Sequence, residues 1–89
     1  MILVSFSSSF KRSFKKRIKG DKDKEELFYQ KLELFIKNPY HPQLKTHKLS
    51  GKLKNLWSFS IDRNLRVVFF FIDAENVVFE NIGTHDEVY

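Results

Sequence analysis

Eighty-nine residues, 42% of them hydrophobic and ten of them Phe, suffice for one domain spanning 1–89 with a modest core, not for two domains or a disordered chain. The absence of Cys excludes disulfides, thiolate nucleophiles and Cys-type zinc sites. The longest apolar run, Val67 to Ile72, is too short to cross a bilayer. The start, Met1-Ile2-Leu3-Val4-Ser5-Phe6, lacks the positive stretch of a signal peptide, so a soluble cytoplasmic protein is the expectation. The net charge of +5 is unevenly spread. Residues 1–54 hold 14 Lys/Arg against 5 Asp/Glu (+9), and residues 55–89 hold 2 against 6 (−4). That asymmetry points to a polyanion or an acidic protein as partner, against the plainer alternative of a solvated Lys-rich helix.

Residues 2–6 are apolar and partly β-branched, which favours a strand. Ser7, Ser8 and Ser9 offer an N-cap, and Phe10, Phe14 and Ile18 then recur at helical spacing with lysines on the other faces. Gly20 stops this basic amphipathic helix. Asp21 or Asp23 caps a second helix, with Asp23 and Glu26 spaced as a capping box. Its apolar stripe is Leu27, Phe28, Leu32, Phe35 and Ile36, and Asn38-Pro39 ends it. The two helices are expected to form an antiparallel hairpin.

Residues 39–54 read as a long basic loop with a short extended piece. A β-meander follows. Leu56 to Ile61 alternates, with Trp57, Phe59 and Ile61 on one face; Asp62-Arg63-Asn64 is turn chemistry. Leu65 to Ile72 is apolar apart from Arg66, as in a central strand covered on both faces. After a turn at residues 73–76, Val77 to Ile82 is the last strand. The expected fold is α+β, in the order β-α-α-β-β-β: a small antiparallel-rich sheet packed against a helical hairpin, with the first strand at an edge or in the centre.

Arg66 is a charge inside an apolar stripe, costly unless paired. It is either bridged to Asp62, Glu80 or another carboxylate, or it is a fork of donors for a phosphate. His85 follows the last strand, where an imidazole can give or take a proton. Tyr89 either packs on the core or stacks on a base. His41 and His47 share the basic loop with Lys45, Lys48, Lys52 and Lys54, without the spacing or the additional ligands of a zinc site, so no metal is expected. No Gly-rich phosphate loop, Ser-His-Asp order or catalytic carboxylate pair is present.

Leu49-Ser50-Gly51, Leu56-Trp57-Ser58-Phe59-Ser60-Ile61, Leu65-Arg66-Val67-Val68-Phe69 and Ile82-Gly83-Thr84-His85-Asp86-Glu87-Val88-Tyr89 together resemble the RelE/ParE superfamily of bacterial toxins, nearest to its RelE and YafQ-like mRNA interferases. The resemblance implies the toxin of a type II toxin–antitoxin system, a ribosome-dependent endoribonuclease that drives the 2′-OH of mRNA in the ribosomal A site onto the adjacent phosphate. It implies a cognate acidic antitoxin as partner, no small-molecule cofactor and no membrane. Arg66 matches the strand arginine that stabilises the phosphate, His85 the catalytic group after the last strand, and Tyr89 the terminal aromatic that orients the substrate. His47, Lys48, Lys52, Lys54 and Arg63 are the expected RNA contacts. Ser58 and Ser60 stand where RelE has lysines, which leaves the general base open among His47, Lys48 and Asp62. A ParE-like gyrase inhibitor and a family member that only binds its antitoxin are the alternatives.

Overall fold

The computed structural model describes residues 1–51 and 55–89. Lys52 and Lys54, two of the expected RNA contacts, lie outside the described residues. Strand β1 (Leu3–Phe6) leads into α1 (Ser8–Arg17), whose N-cap is Ser7. The Ser7 hydroxyl accepts from the Phe10 N–H at 3.0 Å and donates to the Glu80 carbonyl at 2.9 Å, so the cap also fastens the helix start to the sheet. Gly20 takes φ +91°, a left-handed conformation that turns the chain at little cost for glycine. Of the two expected caps for α2 (Lys22–Lys37), Asp21 is the one used, accepting from the Lys24 N–H at 3.2 Å. Asn38 ends this helix with extended backbone before Pro39.

The described part of the basic loop, residues 39–51, holds more than loop structure. Residues Pro42–Leu44 form a 3-10 turn, buried through Leu44, and β2 (His47–Lys48) adds a two-residue strand. Strands β3 (Trp57–Ser60), β4 (Leu65–Phe71) and β5 (Asn76–Thr84) form the meander, and a short helix, α3 (His85–Val88), follows directly. The sheet order is β1-β5-β4-β3-β2. β1 lies at an edge and runs parallel to β5; every other pairing is antiparallel. Ile72, expected to end the strand that begins at Leu65, falls in the turn and is exposed.

One face of the sheet meets the hairpin, and there the Phe residues accumulate. Phe35 of α2 packs on Phe59, Phe69 and Phe79 with ring centroids 4.9–5.2 Å apart, and all four rings are fully buried. Phe10 and Phe28 extend the cluster under α1. A β-bulge adjusts the pattern: Phe69 opposes Phe79 while Val68 opposes Asn81, leaving Glu80 as the extra residue. With the alternation shifted by one, both Phe79 and Ile82 reach the core, although they are three residues apart. Among the described residues no helix is long and apolar enough to cross a membrane.

Candidate functional site

The other face of the sheet carries polar residues. Ser58 stands opposite Val68 and Ser60 opposite Arg66; on the far side of β4, Gly83 stands opposite Arg66. At the β2 edge His47 stands opposite Ser58. Directly opposed residues share a face and alternate residues along a strand do too, so His47, Ser58, Ser60 and Arg66 fall on one face. Ser58 and Ser60 are 0% and 8% exposed, an unusual burial for serines.

Helix α3 packs against β4 and β5 beside this face. Its approach depends on Gly83: a Cβ there would lie 2.9 Å from Glu87 Oε1 and 3.1 Å from Glu87 Cβ, closer than such atoms pack. The Tyr89 hydroxyl donates to Ser58 Oγ. The His85 ring meets the Tyr89 ring edge-on, 4.5 Å between centroids, and remains exposed. His85, Tyr89 and Arg66 are therefore brought to one place through Ser58 and Ser60.

Arg66 donates from Nη1 to Ser60 Oγ at 2.9 Å, while its buried Nε has no partner. Among the described residues no carboxylate lies within ion-pair distance of it. Asp62, a candidate bridge, instead closes the β3–β4 turn, with Oδ1 accepting the N–H groups of Asn64 and Leu65 at 2.7 Å each. A partly buried guanidinium with no carboxylate partner among the described residues is suited to an anion that brings its own oxygens.

The histidines divide by their neighbours. His41 Nδ1 accepts from the Gln43 N–H at 3.1 Å and caps the 3-10 turn. His47 Nδ1 lies 3.1 Å from the Lys45 carbonyl oxygen. A carbonyl only accepts, so this contact is a hydrogen bond in the tautomer that carries its proton on Nδ1, in which Nε2 has a free lone pair. Lys48 opposes Trp57, which puts it on the opposite face from Arg66. Arg63 is exposed in the β3–β4 turn. Among the described residues no three His, Cys, Asp or Glu side chains gather as a metal site.

Gly83 and Glu87 lie within the C-terminal segment expected to face RNA, and Ser58 and Ser60 stand where RelE has lysines, but the sequence assigns none of the four a role in positioning the site. One signal was available: Thr84-His85-Asp86-Glu87 has the S/T-x-x-E spacing of a helix start, and the Thr84 N–H indeed donates to Glu87 Oε1 at 2.8 Å.

This arrangement of elements has relatives. Residues 3–89 match the family model described as YafQ, bacterial toxin of type II toxin–antitoxin system. The chain belongs to the YafQ toxin family. Its fold is similar to a metal-bound toxin from Helicobacter pylori, at 24% identity over 100% of both chains with a TM-score of 0.80. It is also similar to a chain of the E. coli DinJ–YafQ complex, at 22% identity over 100% of this chain and 99% of that one, TM-score 0.73. A YoeB/ParE toxin from Agrobacterium tumefaciens shares the fold at 16% identity over 96% and 99% of the chains, TM-score 0.77. Among curated proteins no match was found. The expected YafQ-like toxin family, the α+β class and the role of toxin in a type II system thus hold for this chain.

Proposed function

We propose that this YafQ-family toxin cuts mRNA in the ribosomal A site by internal transfer. The substrate's 2′-oxygen forms a bond to the adjacent phosphorus and the bond to the 5′-oxygen breaks, leaving a 2′,3′-cyclic phosphate and a 5′-hydroxyl. His47 Nε2 takes the 2′-OH proton, His85 returns a proton to the departing 5′-oxygen, and Arg66 steadies the phosphate as negative charge builds on its oxygens. Tyr89 offers a ring for a base to stack on. The observation that carries this reading is Arg66, a half-buried guanidinium with no carboxylate in ion-pair reach among the described residues. The reaction needs no cofactor, and its place is the cytoplasm, where ribosomes translate.

Ribosomes programmed with a defined mRNA provide the test. Cleavage with cyclic-phosphate and 5′-hydroxyl ends is expected, and Arg66→Ala should slow it by about 10²–10³-fold, the scale of losing one transition-state donor. Intact mRNA with inhibited DNA gyrase would move the chain to the ParE-like reading. Intact mRNA, unimpaired gyrase and tight antitoxin binding would leave a family member that only binds.

The same reading includes a cognate antitoxin with an acidic amphipathic segment. A groove of about 620 Å³ runs between α1 and α2, with Phe10, Phe14, Phe28 and Leu32 in it and Lys11, Lys15 and Lys19 among its lining residues. Apolar depth beside basic side chains suits a helix with an apolar stripe and acidic flanks. The E. coli relative was solved in a complex with DinJ, which supports a protein partner here too.

A further inference from the structure

Arg17, the last residue of α1, forms an ion pair with Glu87, the third residue of α3. A helix of four residues cannot hold itself, because fixing its first turn costs more than the bonds of that turn return. The position of α3 is therefore decided by what it touches outside itself. Two polar contacts do this: the Tyr89 hydroxyl on Ser58 and the Glu87 carboxylate on Arg17. Glu87 is engaged through both oxygens, Oε1 taking the Thr84 N–H and Oε2 the Arg17 guanidinium. Its stem also lies against Gly83. One side chain thus sets where α3 begins, how closely it approaches β5 and towards which helix it is drawn.

We propose that Arg17 and Glu87 are positioning residues: their ion pair tethers α3 to the end of α1 and so holds His85 and Tyr89, which flank Glu87 in sequence, beside Arg66. The pair is 38% and 30% exposed, so its contribution to global stability is small. Its effect falls on a local equilibrium between docked and released α3, where a small free energy changes the populations severalfold. The catalytic consequence rests on the RNA-cutting reading above; the tether itself does not.

The test uses the full chain with Arg17→Gln, Glu87→Gln, both together, and Arg17→Lys. Glu87→Gln keeps an oxygen for the Thr84 N–H while removing the charge. The first readout needs no RNA: hydrogen exchange of the Tyr89 amide, which donates to the His85 carbonyl, corrected for intrinsic sequence effects. Each glutamine variant should speed this exchange by about two- to fivefold, the double variant by no more than either single, and Arg17→Lys by less. The second readout is single-turnover cleavage, whose rate should fall in proportion to the docked fraction while the half-saturating ribosome concentration stays nearly unchanged. Global Tm should move by under about 3 °C. Unaltered exchange in both single variants, or effects that add in the double variant, would overturn the tether. Should the unsubstituted chain leave mRNA intact while the exchange pattern appears as expected, the RNA-cutting reading fails and the tether stands.

Discussion

Arg66 leans on Ser60: one N–H of its guanidinium donates to the serine hydroxyl at 2.9 Å, while the adjacent buried Nε donates to nothing. A cation left half-satisfied in this way is kept at the expense of stability. Arg66→Met, which retains the length and removes the charge, should raise stability by 0 to about 2 kcal/mol, while abolishing toxicity. Thermal denaturation together with growth on induction checks both halves. A variant that is both less stable and inactive would show that Arg66 is there to hold the fold.

The Tyr89–Ser58 contact makes a paired prediction. Tyr89→Phe keeps the ring but leaves the hydroxyl of a fully buried serine without its partner. The cost should be about 1–2 kcal/mol, a fall in Tm of several degrees in a domain of this size. Adding Ser58→Ala removes the orphaned hydroxyl as well and should recover part of that loss. If the double variant is no more stable than Tyr89→Phe alone, the hydroxyl pair is not what docks α3.

What the sequence made legible follows from where the signal is local. Helical spacing of Phe10, Phe14 and Ile18, the Asn38-Pro39 stop and the Trp57-Phe59-Ile61 alternation each mark an element by its own periodicity, and the observed elements agree to within a residue or two. Arg66 and His85 stood out as anomalies, and Tyr89, whose ring meets that of His85, reaches Ser58 on the face that holds Arg66. Three features required long-range pairing and were not legible. The parallel β1–β5 pairing depends on residues more than seventy positions apart, and sequence alone left β1 at an edge or in the centre. The bulge at Glu80, which brings Phe79 and Ile82 to the same core, appears only once β4 is beside β5. The burial of Ser58 and Ser60 depends on the opposing strand and on Tyr89, not on their neighbours in sequence. Helix α3 was legible in principle through its capping spacing, but four residues give no periodicity to read.

The core prediction rests on Phe35. Its ring contacts three other buried rings, one each on β3, β4 and β5, so it is the point where α2 grips the sheet. Phe35→Ala should cost about 3–5 kcal/mol through lost burial and the cavity left behind. Chemical denaturation should show the midpoint falling with an unchanged slope. Phe35→Leu, which refills most of the volume, should recover more than half of the loss.

The β4–β5 turn carries a pH dependence. The Asp73 carboxylate accepts the Glu75 N–H at 2.9 Å, the Asn76 side-chain amide at 2.9 and 3.0 Å, and the Asn76 N–H at 2.9 Å. The Glu75 bond first, then the Asn76 contacts, hold its pKa below the ordinary 3.8. Because the folded pKa is the lower one, the ionised turn adds stability that is fully present above about pH 4 and is lost as pH falls through the folded value. Asp73→Ala should therefore lower Tm slightly at neutral pH and flatten its dependence on pH in the acid range below 4. Since the side chain is fully exposed, the effect should also shrink in high salt, where charge-assisted bonds are screened. Parallel Tm–pH curves for the two proteins across that acid range would show that Asp73 is not what sets the turn's sensitivity to acid.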